Sequence, residues 1–297
     1  MEKAMDHKQL MRWIDTLPRE GVSVLPLTRS IFSREIPMIT VGRGKKTVVY
    51  VGAHHGMEGI TAGVLADFVD ELIRSAQKDR VVFDISVKCL LNERKIAVVP
   101  MLNPDGVEYA LHGVAEDNPL RERVTAFNGG DDFSHWQANA RGVDLNHNYD
   151  AGFSEYKKIE REMGIFGGAP TKYSGEYPES EPETAALCRF LRYHSDDLVG
   201  VLSLHTQGEE IFCNCADKMS AKTLAVGRML ARLTTYKLSE PQGTAAYGGL
   251  ADWCIDKLSC PAYTLECGKG ENPLPPGDRG KIYERLRRAL FSFPYLV

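Results

Sequence analysis

The sequence predicts an α/β fold, and three observations predict it: short β-branched runs recur along the chain, segments with a helical apolar stripe separate them, and turn residues mark the changeovers. Such alternation reads as a mixed, mostly parallel sheet covered by helices on both faces.

Taken in order, VSVLPL and IPMITVG read as early strands, and TVVYVGA is a third that stops at His54-His55-Gly56. A helix follows over about 60–76, where Ile60, Val64, Phe68, Leu72 and Ile73 keep one apolar face. KIAVVPML is the next strand, closed by Asn103-Pro104-Asp105-Gly106, which reads as a turn. Residues 110–142 are polar and irregular, a length that predicts a functional loop lining a cleft. Ser180-Glu181-Pro182-Glu183 reads as a capping box that opens a helix to about His194. LVGVLSL is then a buried strand ending at His205, 218–235 reads as helical, PAYTLEC as a strand, and RGKIYERLRRALFSF as a closing helix.

At 297 residues, with 43% hydrophobic and 26% charged, the chain is long enough to bury a sizeable core. Its net charge of −4 carries no basic excess for gripping phosphates, so no nucleic-acid partner is expected. The opening MEKAMDHKQLMRWIDTLPRE mixes both charge signs and lacks the apolar core of a signal peptide, and no run is long enough to span a bilayer. The expectation is a cytoplasmic enzyme with no membrane partner. Seven cysteines, an odd number, fit free thiols; Cys213 and Cys215 lack a second Cys/His pair nearby and are expected to pack rather than bind metal.

In open α/β sheets ligands bind beyond the carboxyl ends of the strands. Three such ends carry unusual side chains: His54, His55 and Glu58 after TVVYVGA, His205 at the end of LVGVLSL, and Glu266 inside apolar PAYTLEC. Two neutral imidazoles and one carboxylate make a three-ligand zinc site with the fourth position open. His55 and Glu58, three apart at a strand-to-helix turn, can bite one ion. Each feature alone has a bland reading: a solvated helix start, a half-buried histidine, an edge-strand glutamate. Glu266 is the hardest to dismiss, because a buried carboxylate is costly unless paired or protonated.

The ordered set A-H-H-G-M-E (53–58), N-P-D-G (103–106), G-V-D-L-N-H-N (142–148), S-E-P-E (180–183), S-L-H-T (203–206), G-G-L-A-D-W (248–253) and T-L-E (264–266) resembles the zinc carboxypeptidases. The resemblance implies one domain over 1–297, with an N-terminal helix and edge strands before about residue 40 and a catalytic core from there on. It implies a central sheet of about eight strands, and one Zn2+ held by His55, Glu58 and His205. It also implies Glu266 as the general base and Asp144 as the carboxylate that orients a ligating histidine. Hydrolysis would then proceed with Glu266 taking a proton from water and returning it to the leaving amine.

Departures from the family pattern set the expected specificity. Members that trim C-terminal residues read N-R-N, the arginine gripping a terminal carboxylate, where this chain has Asn146-His147-Asn148. The arginine that polarises the scissile carbonyl is replaced by Gln137, with Asn139 or Arg141 as candidate substitutes. The mobile tyrosine falls at Thr244 by counting, with Tyr247 three positions on. R-G-V-D-L-N-H-N-Y-D and Y-S-G-E-Y-P-E-S-E-P-E-T are most similar to the γ-D-glutamyl-meso-diaminopimelate peptidase branch, which implies a small peptide or muropeptide as partner. The alternatives are a conventional metallocarboxypeptidase, a zinc amidohydrolase of small N-acyl amino acids, and a binding module without catalysis. Retention of Glu266 speaks against the last.

Overall fold

A computed structural model describes residues 4–213, 219–241 and 243–297; Cys215 lies outside the described residues. The main strands are β1 (Val22–Arg29), β2 (Glu35–Val41) and β3 (Lys46–Val51), then, after a small hairpin of β4 (Val81–Val82) and β5 (Ile85–Ser86), β6 (Arg94–Val99), β7 (Leu198–His205), β8 (Glu210–Phe212), β9 (Lys237–Leu238) and β10 (Ala262–Glu266). Eight of them form one sheet in the order β1-β2-β6-β3-β7-β10-β8-β9. The inner four, β6, β3, β7 and β10, run parallel, while β1, β2 and β8 pair antiparallel. The parallel strands are apolar on both faces because helices cover both sides.

On one face pack α1 (His7–Ile14), α2 (Ile60–Gln77), α3 (Val87–Glu93), α8 (Ala221–Thr234) and α10 (Arg279–Leu296), which bury Phe68, Leu72, Leu230, Leu286 and Phe291 against the sheet. The other face is closed by α7 (Pro182–Tyr193) and α9 (Leu250–Leu258) through Leu187, Leu191 and Trp253. The remaining helices are α4 (Pro104–His112), α5 (Arg121–Asn128) and α6 (Phe153–Glu162). The molecule is a single α/β domain, as the alternation predicts. At one margin of the sheet Pro26 of β1 lies opposite Pro37 and the register slips between Pro26 and Thr28; at the other, β9 is two residues long.

Three local expectations need correction. Asn103-Pro104-Asp105-Gly106 is not a free turn but the start of α4: the Asn103 side chain accepts the Gly106 N–H at 2.9 Å, and Pro104 takes the first helical position, where its missing N–H costs nothing. Residues 110–142 do not form one cleft-lining loop. They contain α5 and build a small core of their own around Val124, Phe133 and Trp136. The capping box before α7 does not form either. Glu181 is the N-cap without a side-chain cap bond, and the Ser180 hydroxyl bonds Asn148 and Glu181 instead.

Candidate active site

The parallel strands β3, β7 and β10 end on the same side of the sheet, and the chain leaves each of them carrying a polar side chain. After β3, Ala53 adopts a left-handed φ of 47°, and the turn at 56–58 is held by N–H bonds from Gly56 to the Gln137 carbonyl and from Met57 to the Trp136 carbonyl, both 2.9 Å. Gly56 cannot be replaced freely, since a β-carbon there would sit 2.4 Å from the Gly106 carbonyl oxygen. The Asn103 amide then donates to the carbonyls of His54 (3.0 Å) and Ala138 (3.1 Å), tying the end of β6 to that of β3.

This framework brings His55, Glu58 and His205 together with their ligating atoms within 4.8 Å of one another. The two Nδ1 atoms lie 3.3 Å apart, with Glu58 Oε1 2.9 Å from His55 Nδ1 and Oε2 3.2 Å from His205 Nδ1. The two Nδ1 atoms face each other and Glu58 Oε2 has no hydrogen bond of good geometry, so these side chains leave donor atoms for an ion to satisfy. Burial depresses the His55 imidazole, but Glu58 and Asp144 outweigh it and hold its pKa above the usual histidine range; His205 is lowered by burial. Glu58 is pushed up by burial but held well below its usual range by the two histidines. The set fits zinc, and the remaining nitrogen of His55 lies 3.2 Å from Asp144 Oδ1, the outer hydrogen bond a ligating imidazole needs.

His54 is not part of the set. It is buried beneath it, with Nε2 3.0 Å from the Tyr149 hydroxyl and its ring stacked on His205.

A cleft of about 210 Å³ opens beside the cluster, lined in part by His55, Gln137, Asp144, Asn146, His147, Thr244, Tyr247 and Glu266. A larger cavity of about 610 Å³ lies between Val22, Val41, Ile73 and Leu91, away from the cluster. Glu266 pairs in register with His205 across β10 and β7. Among the described residues its carboxylate has no hydrogen bond or ion pair, and burial followed by the Glu58 charge pushes its pKa up. Asn139 and Arg141 are the predicted residues that the fold carries elsewhere: both bond Glu181, at 2.6 and 2.9 Å, and Arg141 lines a separate cavity with Arg123 and Tyr177.

The lining residues that escaped the sequence reading include Thr171, Lys172 and Asp252. Thr171 donates to Gln137 Oε1, and the Lys172 N–H to Asp144 Oδ2 at 2.9 Å. Burial pushes Asp252 up to about 8. Asp252 sits inside the G-G-L-A-D-W motif and could have been flagged; Thr171 and Lys172 carry no sequence signal.

The zinc carboxypeptidase family model matches residues 8–285. The chain belongs to that family. It is a zinc-dependent metallopeptidase, and among the described residues His55, Glu58 and His205 form a site for a single Zn2+. Among curated relatives it is similar to "Gamma-D-glutamyl-L-diamino acid endopeptidase 1" of Lysinibacillus sphaericus, 30% identical over 91% of this chain and 67% of the relative. It is also similar to carboxypeptidase B of Rattus norvegicus, 24% identical over 78% of this chain and 55% of the relative. Among solved structures, thrombin activatable fibrinolysis inhibitor matches with a TM-score of 0.73 at 18% identity, covering 99% of this chain and 73% of that one. That likeness shows the fold. Among the described residues no helix is long and apolar enough to cross a membrane.

Proposed function

We propose that this metallopeptidase hydrolyses the amide between a γ-linked D-glutamyl group and a diamino acid in short cell-wall peptides, acting on soluble muropeptides in the cytoplasm. The observation that carries the reading is the state of His147. Its Nδ1 lies 2.9 Å from the Tyr247 carbonyl, which can only accept, so Nδ1 holds the proton. The ring lies flat on Tyr156, centroids 4.1 Å apart, and burial lowers its pKa against the pull of Asp144. A neutral imidazole donating to a backbone carbonyl offers a substrate only an acceptor nitrogen. It cannot replace the permanent two-pronged donor with which an arginine grips a terminal carboxylate. The name of the Lysinibacillus relative supports the same substrate class.

The comparisons weigh more towards a second reading, a conventional metallocarboxypeptidase or small-substrate amidohydrolase, because most of the similar proteins carry carboxypeptidase names. Both readings share one chemistry. Zinc held by His55, Glu58 and His205 would supply a Lewis acid, lowering the pKa of a water towards ~7 and polarising the scissile carbonyl. Glu266, in the cleft and without a competing partner, takes a proton from the attacking water and delivers it to the leaving nitrogen, so that water and amide become carboxylate and amine. Gln137, whose amide oxygen is held by Thr171, presents its amide NH2 as a neutral donor to the developing oxyanion. Asp144 keeps His55 in one tautomer and orientation.

The test is kcat/KM for L-Ala-γ-D-Glu-meso-diaminopimelate against an α-linked peptide with a free C-terminus, in the wild type and in His147→Arg. The wild type should favour the γ-linked substrate by roughly tenfold or more, and His147→Arg should narrow the gap. Equal or better α-linked cleavage by the wild type would establish the carboxypeptidase reading instead.

A further inference from the structure

The cleft has lost the expected arginines, yet a peptide substrate of either class brings carboxylates that need a cation. Among the described residues, Lys172 is the one side chain lining the cleft that carries an ammonium or guanidinium. Its backbone has a left-handed φ of 67°, an uncommon conformation for a residue with a β-carbon. Two bonds fix it there: its N–H donates to Asp144 Oδ2 at 2.9 Å, and its carbonyl accepts the Tyr156 hydroxyl at 2.9 Å. The side chain is exposed, and among the described residues no carboxylate pairs with its ammonium. The two bonds fix the backbone at the rim of the cleft, and the unpaired ammonium is free to meet a ligand.

The two arms of the cleft differ in charge. Gln137, Thr171, Lys172 and Asp144 form one hydrogen-bonded arm that reaches His55. Asn146, His147, Tyr247, Gly249 and Asp252 form the other, where the ionisable groups among these residues are a neutral imidazole, the Asp252 carboxyl and a phenol. An anion is poorly received on the second arm, where the Asp252 carboxyl and the free nitrogen of His147 offer acceptors that suit the ammonium of a diamino acid. We propose that Lys172 holds the α-carboxylate of the γ-linked glutamyl group, on the acyl side of the scissile amide, and so selects that group against its uncharged amide. The proposal rests on the γ-D-glutamyl reading above.

The experiment compares the zinc-loaded wild type, Lys172→Met and Lys172→Arg on three substrates: L-Ala-γ-D-Glu-meso-diaminopimelate, its isoglutamine counterpart with the glutamyl α-carboxylate amidated, and the form amidated on diaminopimelate. Each replacement keeps a β-carbon at the same backbone, so none adds strain. The wild type should prefer the free glutamyl carboxylate by about tenfold or more, the size expected of one charge-assisted hydrogen bond. Lys172→Met should collapse that ratio towards one, chiefly through KM and with zinc content unchanged, and Lys172→Arg should restore most of it. An unchanged ratio in Lys172→Met, with the wild type active, would overturn this inference and leave the γ-glutamyl reading standing. Sensitivity that moves to the diaminopimelate carboxylate would place the lysine on the leaving side and also overturn it. Failure of the wild type on all three substrates would remove the γ-glutamyl reading and this inference with it.

Discussion

The metal-holding floor of the cleft and its loop wall are built by different means. The floor comes from strand ends: β7 delivers His205, β10 delivers Glu266 in register beside it, and the turn after β3 delivers His55 and Glu58. These positions are set by the backbone ladder of a sheet whose faces are both buried. Much of the wall comes from 137–148 and 171–172, stretches outside the sheet that are held by side-chain amides. Asn148 donates to the carbonyls of Ser174 (2.7 Å) and Tyr177 (3.2 Å) and accepts from Thr184, while Asn139 bonds Glu181 at 2.6 Å. The chemistry thus sits on rigid elements and the proposed selectivity on cross-linked loops.

Four substitutions break or sharpen that contrast, in descending order of expected effect. Glu266→Gln alters the floor without touching a ligand, so kcat should fall by roughly 10²–10⁴-fold while zinc stays bound. Near-normal turnover, or metal lost on elemental analysis, would remove the general-base role. Asp144→Asn acts where floor and wall meet, and zinc affinity measured by competition with a chelator should weaken by about 10–100-fold. Asn148→Ala leaves the floor intact but frees the wall. It should cost roughly 1–3 kcal/mol in chemical denaturation, from carbonyls left unpaired, with zinc content retained.

The last effect, no larger than that of Asn148→Ala, concerns Glu183, buried in the first turn of α7 with neither carboxylate oxygen hydrogen-bonded. Burial pushes its pKa up to about 8 from an ordinary 4.5. Below about pH 4.5 the folded and unfolded chains both carry it protonated, and nothing is lost. Above that the unfolded chain ionises first, so stability declines as pH rises towards about 8 and then levels off. Glu183→Gln should flatten that slope and stabilise the protein at neutral pH by on the order of 1–3 kcal/mol. An identical pH profile of melting temperature in the variant would show that Glu183 is not the group responsible.

The same division explains what was legible in the sequence. Strands announced themselves by β-branched runs, and the metal set by an H-x-x-E spacing at the end of one of them. Glu266 stood out because an acid inside an apolar strand calls for a reason. The wall gave no such signal. Lys172 lies 28 positions after Asp144 and meets it through a backbone N–H, a contact no side-chain pattern records. Arg141, a plausible cation by position, is neutralised by Glu181, 40 positions away. Asn103-Pro104-Asp105-Gly106 misled because the residues that punctuate turns also cap helices, and the difference lies in where the Asn103 side chain points. In α5, Val124 alone is buried, too little to leave an apolar stripe.

The two margins of the sheet bear on how copies of this chain treat one another. An open strand edge offers a row of unused backbone donors and acceptors on which a second molecule can assemble, and long, flat edges invite it. Here neither margin is long and flat. β1 contains Pro26, which has no N–H to give, and its slip of register between Pro26 and Thr28 interrupts the even spacing that an incoming strand would have to match. β9 ends the sheet after two residues, one of them Lys237, exposed and charged. Crowded solutions of the folded protein should therefore resist strand-on-strand self-association, because each margin frustrates a template by different means.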